Sequence, residues 1–121
     1  MNFYVKHAGV DGDTMTIAAG GELDMFAAPA LRDALEEALE ASVPRVLLDL
    51  ADATFVDSTT IGTLLGASKR LRESGSRLQL HCTNRNILRT FEIAGLERVI
   101  DVSREPDPSE QVVVVSTGMG V

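Results

Sequence analysis

Basic residues are scarce in this chain, cysteine is almost absent, and long apolar runs are missing; each shortage removes a class of function. Among 121 residues, 11 Lys and Arg stand against 18 Asp and Glu, a formal net charge of −7 at pH 7. A nonspecific grip on nucleic-acid phosphates or on an anionic membrane is thereby disfavoured, so neither is expected as a direct partner. The single cysteine, Cys82, can form no internal disulfide, and His7 and His81, the only histidines, offer it no zinc-ligand spacing. No metal and no cofactor are expected, and a reducing compartment is the natural setting. No apolar stretch approaches the roughly 18 residues that a membrane span needs. The N-terminus also lacks the basic, apolar and small-residue order of an export signal. A cytoplasmic protein is expected. Gly20-Gly21 is too short for a phosphate-binding loop, and the pattern Gly-x-x-x-x-Gly-Lys does not occur.

What is present is the composition of an ordinary globular protein, 45% hydrophobic and 24% charged, at a length that suits one domain. Phe3 to Ala8 and Met15 to Ala19 are β-prone and flank the turn formers of Gly9 to Asp13, which predicts an opening hairpin. After Gly20-Gly21-Glu22-Leu23-Asp24 the period changes. Ala27, Leu31, Leu35 and Leu39, with Ala30, Ala34 and Ala38, predict an amphipathic helix with Asp24 near its start, Pro29 in its first turn and Pro44 beyond its end. Arg32, Asp33, Glu36, Glu37 and Glu40 make its wet face. Arg45 to Leu50 holds the near-continuous run Val46-Leu47-Leu48, expected of a central strand covered on both faces. A short loop then leads into a second helix from Ser58, with Ile61, Leu64, Leu65, Ser68 and Leu71 or Arg72 on one face, ending by Gly75.

Arg77 to Cys82 reads as the next strand. Asn86 caps a third helix that buries Ile87, Leu88, Phe91 and Ala94 and stops at Gly95. Val99 to Val102 is a short last strand. Alternating strands and helices imply right-handed βαβ crossovers, hence an α/β fold with a mixed, partly parallel sheet packed against helices. Residues 1–105 are read as the domain and 106–121 as a tail. Within that tail the four β-branched residues Val112 to Val115 oppose the helix start suggested by Pro106 to Glu110, and Ser116 to Val121 is expected to fray.

The segment that carries chemistry is Phe55-Val56-Asp57-Ser58-Thr59-Thr60-Ile61-Gly62, where loop becomes helix. Helix N-termini leave backbone donors unpaired and carry partial positive charge, so a hydroxyl or an anion is welcome there. On spacing alone, Asp57 or Ser58 is an N-cap worth about 1 kcal/mol. As a nucleophile, Ser58 would need a base, and the sequence places neither His7 nor His81 for that role. Cys82, at a strand end, suits a small core residue better than a reactive thiol.

Asp57-Ser58-Thr59-Thr60-Ile61-Gly62, with Asp49-Leu50 before it and Gly21-Glu22-Leu23-Asp24 earlier, resembles the STAS domain of bacterial anti-sigma factor antagonists. The likeness runs from about Phe3 to Val102, with both motifs in order and at the family's spacing. It implies a switchable binding module that is no enzyme. The unphosphorylated form occupies an anti-sigma factor that is also a serine kinase and so frees a sigma factor. Phosphorylation of Ser58 ends that binding until a PP2C-type phosphatase reverses it. The resemblance makes Ser58 the acceptor, Asp57 its acidic neighbour and Asp24 a kinase contact, with Thr59 and Thr60 as further contacts. Thr60 stands where the family commonly has glycine, and Val112 to Val115 is a poor match to the amphipathic helix in which the family usually ends. A monomer or weak dimer fits equally. Two alternatives stay open: a STAS module of a stress-sensing complex or lipid-transport machine without a phospho-switch, and a small enzyme or nucleotide-binding protein.

Overall fold

The computed structural model describes residues 2–104, so the expectations for 106–121, including Val112 to Val115, lie outside the described residues. Strands β1 (Phe3–Asp11) and β2 (Thr14–Leu23) form the opening hairpin. Its turn is shorter than the sequence suggested. The chain absorbs Gly9 to Asp11 into β1 through a register shift between His7 and Gly9, and reverses over Gly12-Asp13 with Gly12 left-handed. The order continues α1 (Ala28–Ala41), β3 (Arg45–Asp49), β4 (Ala53–Val56), α2 (Ser58–Glu73), β5 (Arg77–His81), α3 (Arg85–Ala94), a 3-10 turn (Leu96–Arg98) and β6 (Asp101–Ser103). The main path across the sheet is β1-β2-β3-β5-β6, with β4 paired to the far end of β2. Only β1 is antiparallel among the described pairings. The α/β class and the mixed sheet are as the sequence implied.

Helices α1 and α2 pack on each other and on the sheet. Beneath them every second strand residue is buried: Ile17 and Ala19, Val46 and Leu48, Leu78 and Leu80. From α1 come Leu31, Leu35 and Ala38, and from α2 Ile61, Leu64 and Leu71. Strand β3 is central, but only one of its faces is covered. Leu47 is half-buried and Arg45, Arg77 and Gln79 are exposed on the other face, so the run Val46-Leu47-Leu48 misled because Leu47 points away from the core.

Three further corrections concern local structure. Residues Ala53–Val56, expected as loop, form β4 beside β2; four residues are too few to show a period. The cap of α3 is Asn84, which accepts from the amides of Asn86 and Ile87, and Asn86 lies inside the helix. The last strand starts two residues later than expected, because Leu96–Arg98 first makes a 3-10 turn that seals Leu96 in the core.

Gly21 shows why a glycine opens the Gly-x-Leu-Asp segment. Its φ is +78°, and a Cβ there would strike the Asn2 carbonyl of the chain alongside. Two penalties add: left-handed backbone and a backbone collision that no rotamer change relieves. Gly21→Ala is therefore expected to cost about 2 kcal/mol or more, read as a lowered denaturation midpoint. Cys82 is fully buried, and burial pushes its thiol pKa up. Since the thiolate is the reactive form, alkylation of Cys82 is expected only when the protein unfolds.

Candidate functional site

Parallel pairing of β2 with β4 ends at the register pair Leu23↔Val56. The next residue of each chain is an aspartate, so Asp24 and Asp57 follow directly on a paired position as the two chains leave the sheet. Both loops therefore start at the carboxyl end of the parallel strands, where open α/β sheets place their working surfaces.

The two aspartates do matching work on their own helices. Asp57 is extended (φ −111°, ψ −178°), and its Oδ1 accepts the Thr60 amide at 3.0 Å, making it the N-cap of α2. Its carbonyl accepts the Ile61 amide at 3.1 Å. The cap alternative is thus settled in favour of Asp57, and Ser58 becomes the first helical residue. Asp24 stands one turn ahead of α1. Its Oδ1 accepts the amides of Phe26 at 2.9 Å and Ala27 at 3.3 Å, and its carbonyl accepts those of Ala27 and Ala28. The backbone cap of α1 is Ala27, which has no side-chain acceptor, and Pro29 occupies the first turn as the sequence predicted.

The hydroxyl run divides by helical geometry. Ser58 and Thr59 are exposed, whereas Thr60 is 1% exposed. The Thr60 hydroxyl turns inward and donates to the Leu23 carbonyl at 2.5 Å. The expectation that Thr60 contacts a partner is corrected here: its side chain is enclosed and its hydroxyl already engaged. The Thr59 carbonyl accepts the Thr63 hydroxyl at 3.0 Å, one turn further along α2. Thr59 also lines a groove of about 300 Å³ between α1 and α2, floored by Gly62 and Gly66 and flanked by Arg32 and Arg70. Arg70 bridges to Glu36 across the two helices at 2.5 Å.

Sequence reasoning missed the apolar side of this rim. Met25 and Phe26, in the turn after Asp24, are 61% and 70% exposed, and Phe55 on β4, paired with Glu22, is half exposed. Phe26 lines a cleft of about 360 Å³ with Asn2, Phe3, Glu22 and Asp24. The available signal was that Met25 and Phe26 fall outside the helical stripe that begins at Ala27. Elsewhere, His7 meets Glu37 at 2.7 Å. Among the described residues no cluster of His, Cys, Asp or Glu is arranged to hold a metal, and no helix is long and apolar enough to cross a membrane.

Residues 7–102 match the protein family described as "Mlab, STAS domain". The chain is 36% identical over 104 residues to the anti-sigma-B factor antagonist of Listeria monocytogenes, an alignment covering 84% of this chain and 90% of that one. Its fold is similar to the crystal structure of an anti-sigma factor antagonist from Mycobacterium paratuberculosis, with a TM-score of 0.77 at 21% identity over 94% of each chain. It is also similar to the phosphorylated form of the Bacillus cell-fate determinant SpoIIAA, with a TM-score of 0.67 at 21% identity over 93% of this chain and 99% of that one.

The assignment of the cap to Asp57 has a measurable consequence. Asp57→Ala is expected to lower stability by about 1 kcal/mol. Ser58→Ala, one residue on but exposed, is expected to change it by less than about 0.5 kcal/mol, both read in denaturant titrations.

Proposed function

The chain belongs to the STAS-domain family of anti-sigma factor antagonists, and from that premise we propose that it binds an anti-sigma factor and is released from it by phosphorylation of Ser58. The observation that carries this reading is the placement of Ser58: exposed, first in α2, directly after its capping aspartate and beside the loop of Asp24. An exposed hydroxyl is open to a kinase for transfer of the ATP γ-phosphoryl group, with ADP leaving, and to a PP2C-type phosphatase for the reverse switch. The anti-sigma factor itself serves as the serine kinase.

Electrostatics gives the switch its sign. A phosphate adds about −1.5 to −2 charge at neutral pH. On the free protein, the amino end of α2 and the surrounding water accommodate it. In a docked complex it lies near Asp57 and Asp24 with water excluded, so like-charge repulsion and desolvation penalise the complex and leave the fold intact. A penalty of about 3 kcal/mol weakens binding more than 100-fold. In this reading the contact surface comprises Asp24, Asp57, Ser58 and Thr59, with Met25 and Phe26 adding apolar area. Its acidic groups suit a basic surface on the anti-sigma factor.

A second reading has one observation on its side, the matched family's description, which names Mlab and no antagonist. In it the same rim is a docking surface of another assembly, a stress-sensing complex or a lipid-transport machine, and Ser58 is never modified. Mass spectrometry after incubation with candidate kinases and ATP separates the two. Phosphate on Ser58 is the expected result, and its absence with every kinase favours the second reading. In titrations with the anti-sigma factor, Ser58→Ala is expected to bind as the unmodified chain does, and Ser58→Asp roughly 100-fold more weakly. Equal affinities for the two variants would overturn the switch.

A further inference from the structure

We propose that Thr60 is a positioning residue that joins the Asp24 turn and the start of α2 into one rigid surface. The proposal rests on the reading above only for its effect on phosphorylation; the clamp itself is geometric.

Pairing between β2 and β4 stops at Leu23↔Val56, and beyond it the two chains turn into separate loops. Thr60 reaches back across that gap. Its hydroxyl donates to the Leu23 carbonyl at 2.5 Å, while its amide donates to Asp57 Oδ1 at 3.0 Å. One residue is thus held at both polar groups, one in each loop. From Leu23 the next residue is Asp24, whose carboxylate grips the amides of Phe26 and Ala27. From Asp57 the next residue is Ser58. A continuous path of hydrogen bonds and single peptide steps therefore runs from the Phe26 amide to the Ser58 backbone, and the Thr60 hydroxyl is its sole side-chain crossing among the described hydrogen bonds.

Burial strengthens this link. At 1% exposure, Thr60 has almost no water to replace a lost partner, so the hydroxyl and the Leu23 carbonyl hold each other. A helical threonine divides between two χ1 rotamers, and the bond to the Leu23 carbonyl goes with one of them. Phosphoryl transfer needs the acceptor oxygen and the docking contacts fixed together to within a fraction of an ångström. Thr60 supplies that fixation between Ser58 and the turn that carries Asp24, Met25 and Phe26.

The test compares Thr60→Val, which keeps shape and removes the hydroxyl, with Thr60→Ser, which keeps the hydroxyl and removes a methyl group. Hydrogen exchange is followed at the Phe26 and Ala27 amides, with the core-strand amides of Leu48 and Leu80 reporting any global loss of stability. In Thr60→Val the two turn amides are expected to exchange at least tenfold faster relative to the core strands, and in Thr60→Ser to return to within about threefold of wild type. With a kinase shown to phosphorylate the wild-type chain, Thr60→Val should lower kcat about tenfold with KM nearly unchanged, and Thr60→Ser should restore it. Turn amides that exchange no faster than the core strands predict, or a serine variant no better than valine, would overturn the clamp. Altered exchange with an unchanged kcat would overturn its positioning role. If the exchange results hold but the wild-type chain accepts no phosphate, the clamp stands and the phosphorylation reading falls.

Discussion

Everything at the working end of this domain follows from one parallel register, Leu23 opposite Val56. Parallel strands send their carboxyl ends the same way, so two loops far apart in sequence, one opening α1 and one opening α2, emerge as neighbours. The constraint is tight because β4 is only four residues long and sits at the far end of β2, beyond the stretch occupied by β3. A slip of one residue would turn buried Leu23 and Val56 outward, so the core that holds them also fixes where the aspartates emerge. Gly21 belongs to the same constraint, since its missing side chain lets the start of β1 lie against β2 beside the site.

Charge shapes the site at two ranges. Over the whole chain the excess of acids discourages anionic partners. At short range the same sign is put to local use: both aspartates accept backbone amides at helix starts, where a negative group is stabilised. The groove that Thr59 lines between α1 and α2 also carries Arg32 and Arg70, the latter bridged to Glu36, so basic groups border the acidic rim.

Much of the fold was legible because it rests on long periodic signals. The three helices, the strands beginning at Arg45 and Arg77 and the opening hairpin all announce themselves through spacing or turn residues, and the Asp57-Ser58 junction through its place ahead of an apolar stripe. What escaped was short or decided by tertiary contact. Strand β4 exists because β2 extends far enough to receive it, and four residues cannot declare that. Leu47 looked like core because an apolar run does not reveal which face lacks a helix. Thr60 looked like one of three equivalent hydroxyls; only the helix's rotation places it inside while Ser58 and Thr59 stay outside. Its acceptor, Leu23, is 37 residues away. Asn84 took the cap from Asn86 because only at Asn84 does the backbone turn extended before the helix begins.

The division of labour between Asp57 and Ser58 reaches beyond the site. Since the capping bond belongs to the aspartate, the exposed serine hydroxyl contributes little to the folding equilibrium. In the proposed reading a phosphate on Ser58 sits at the amino end of α2, where a negative group is favoured, so it is not expected to raise the unfolded population open to proteolysis. The exposed serine oxygen then decides what the molecule binds while the neighbouring carboxylate helps to hold the fold, so in that reading the switch can cycle without opening the chain.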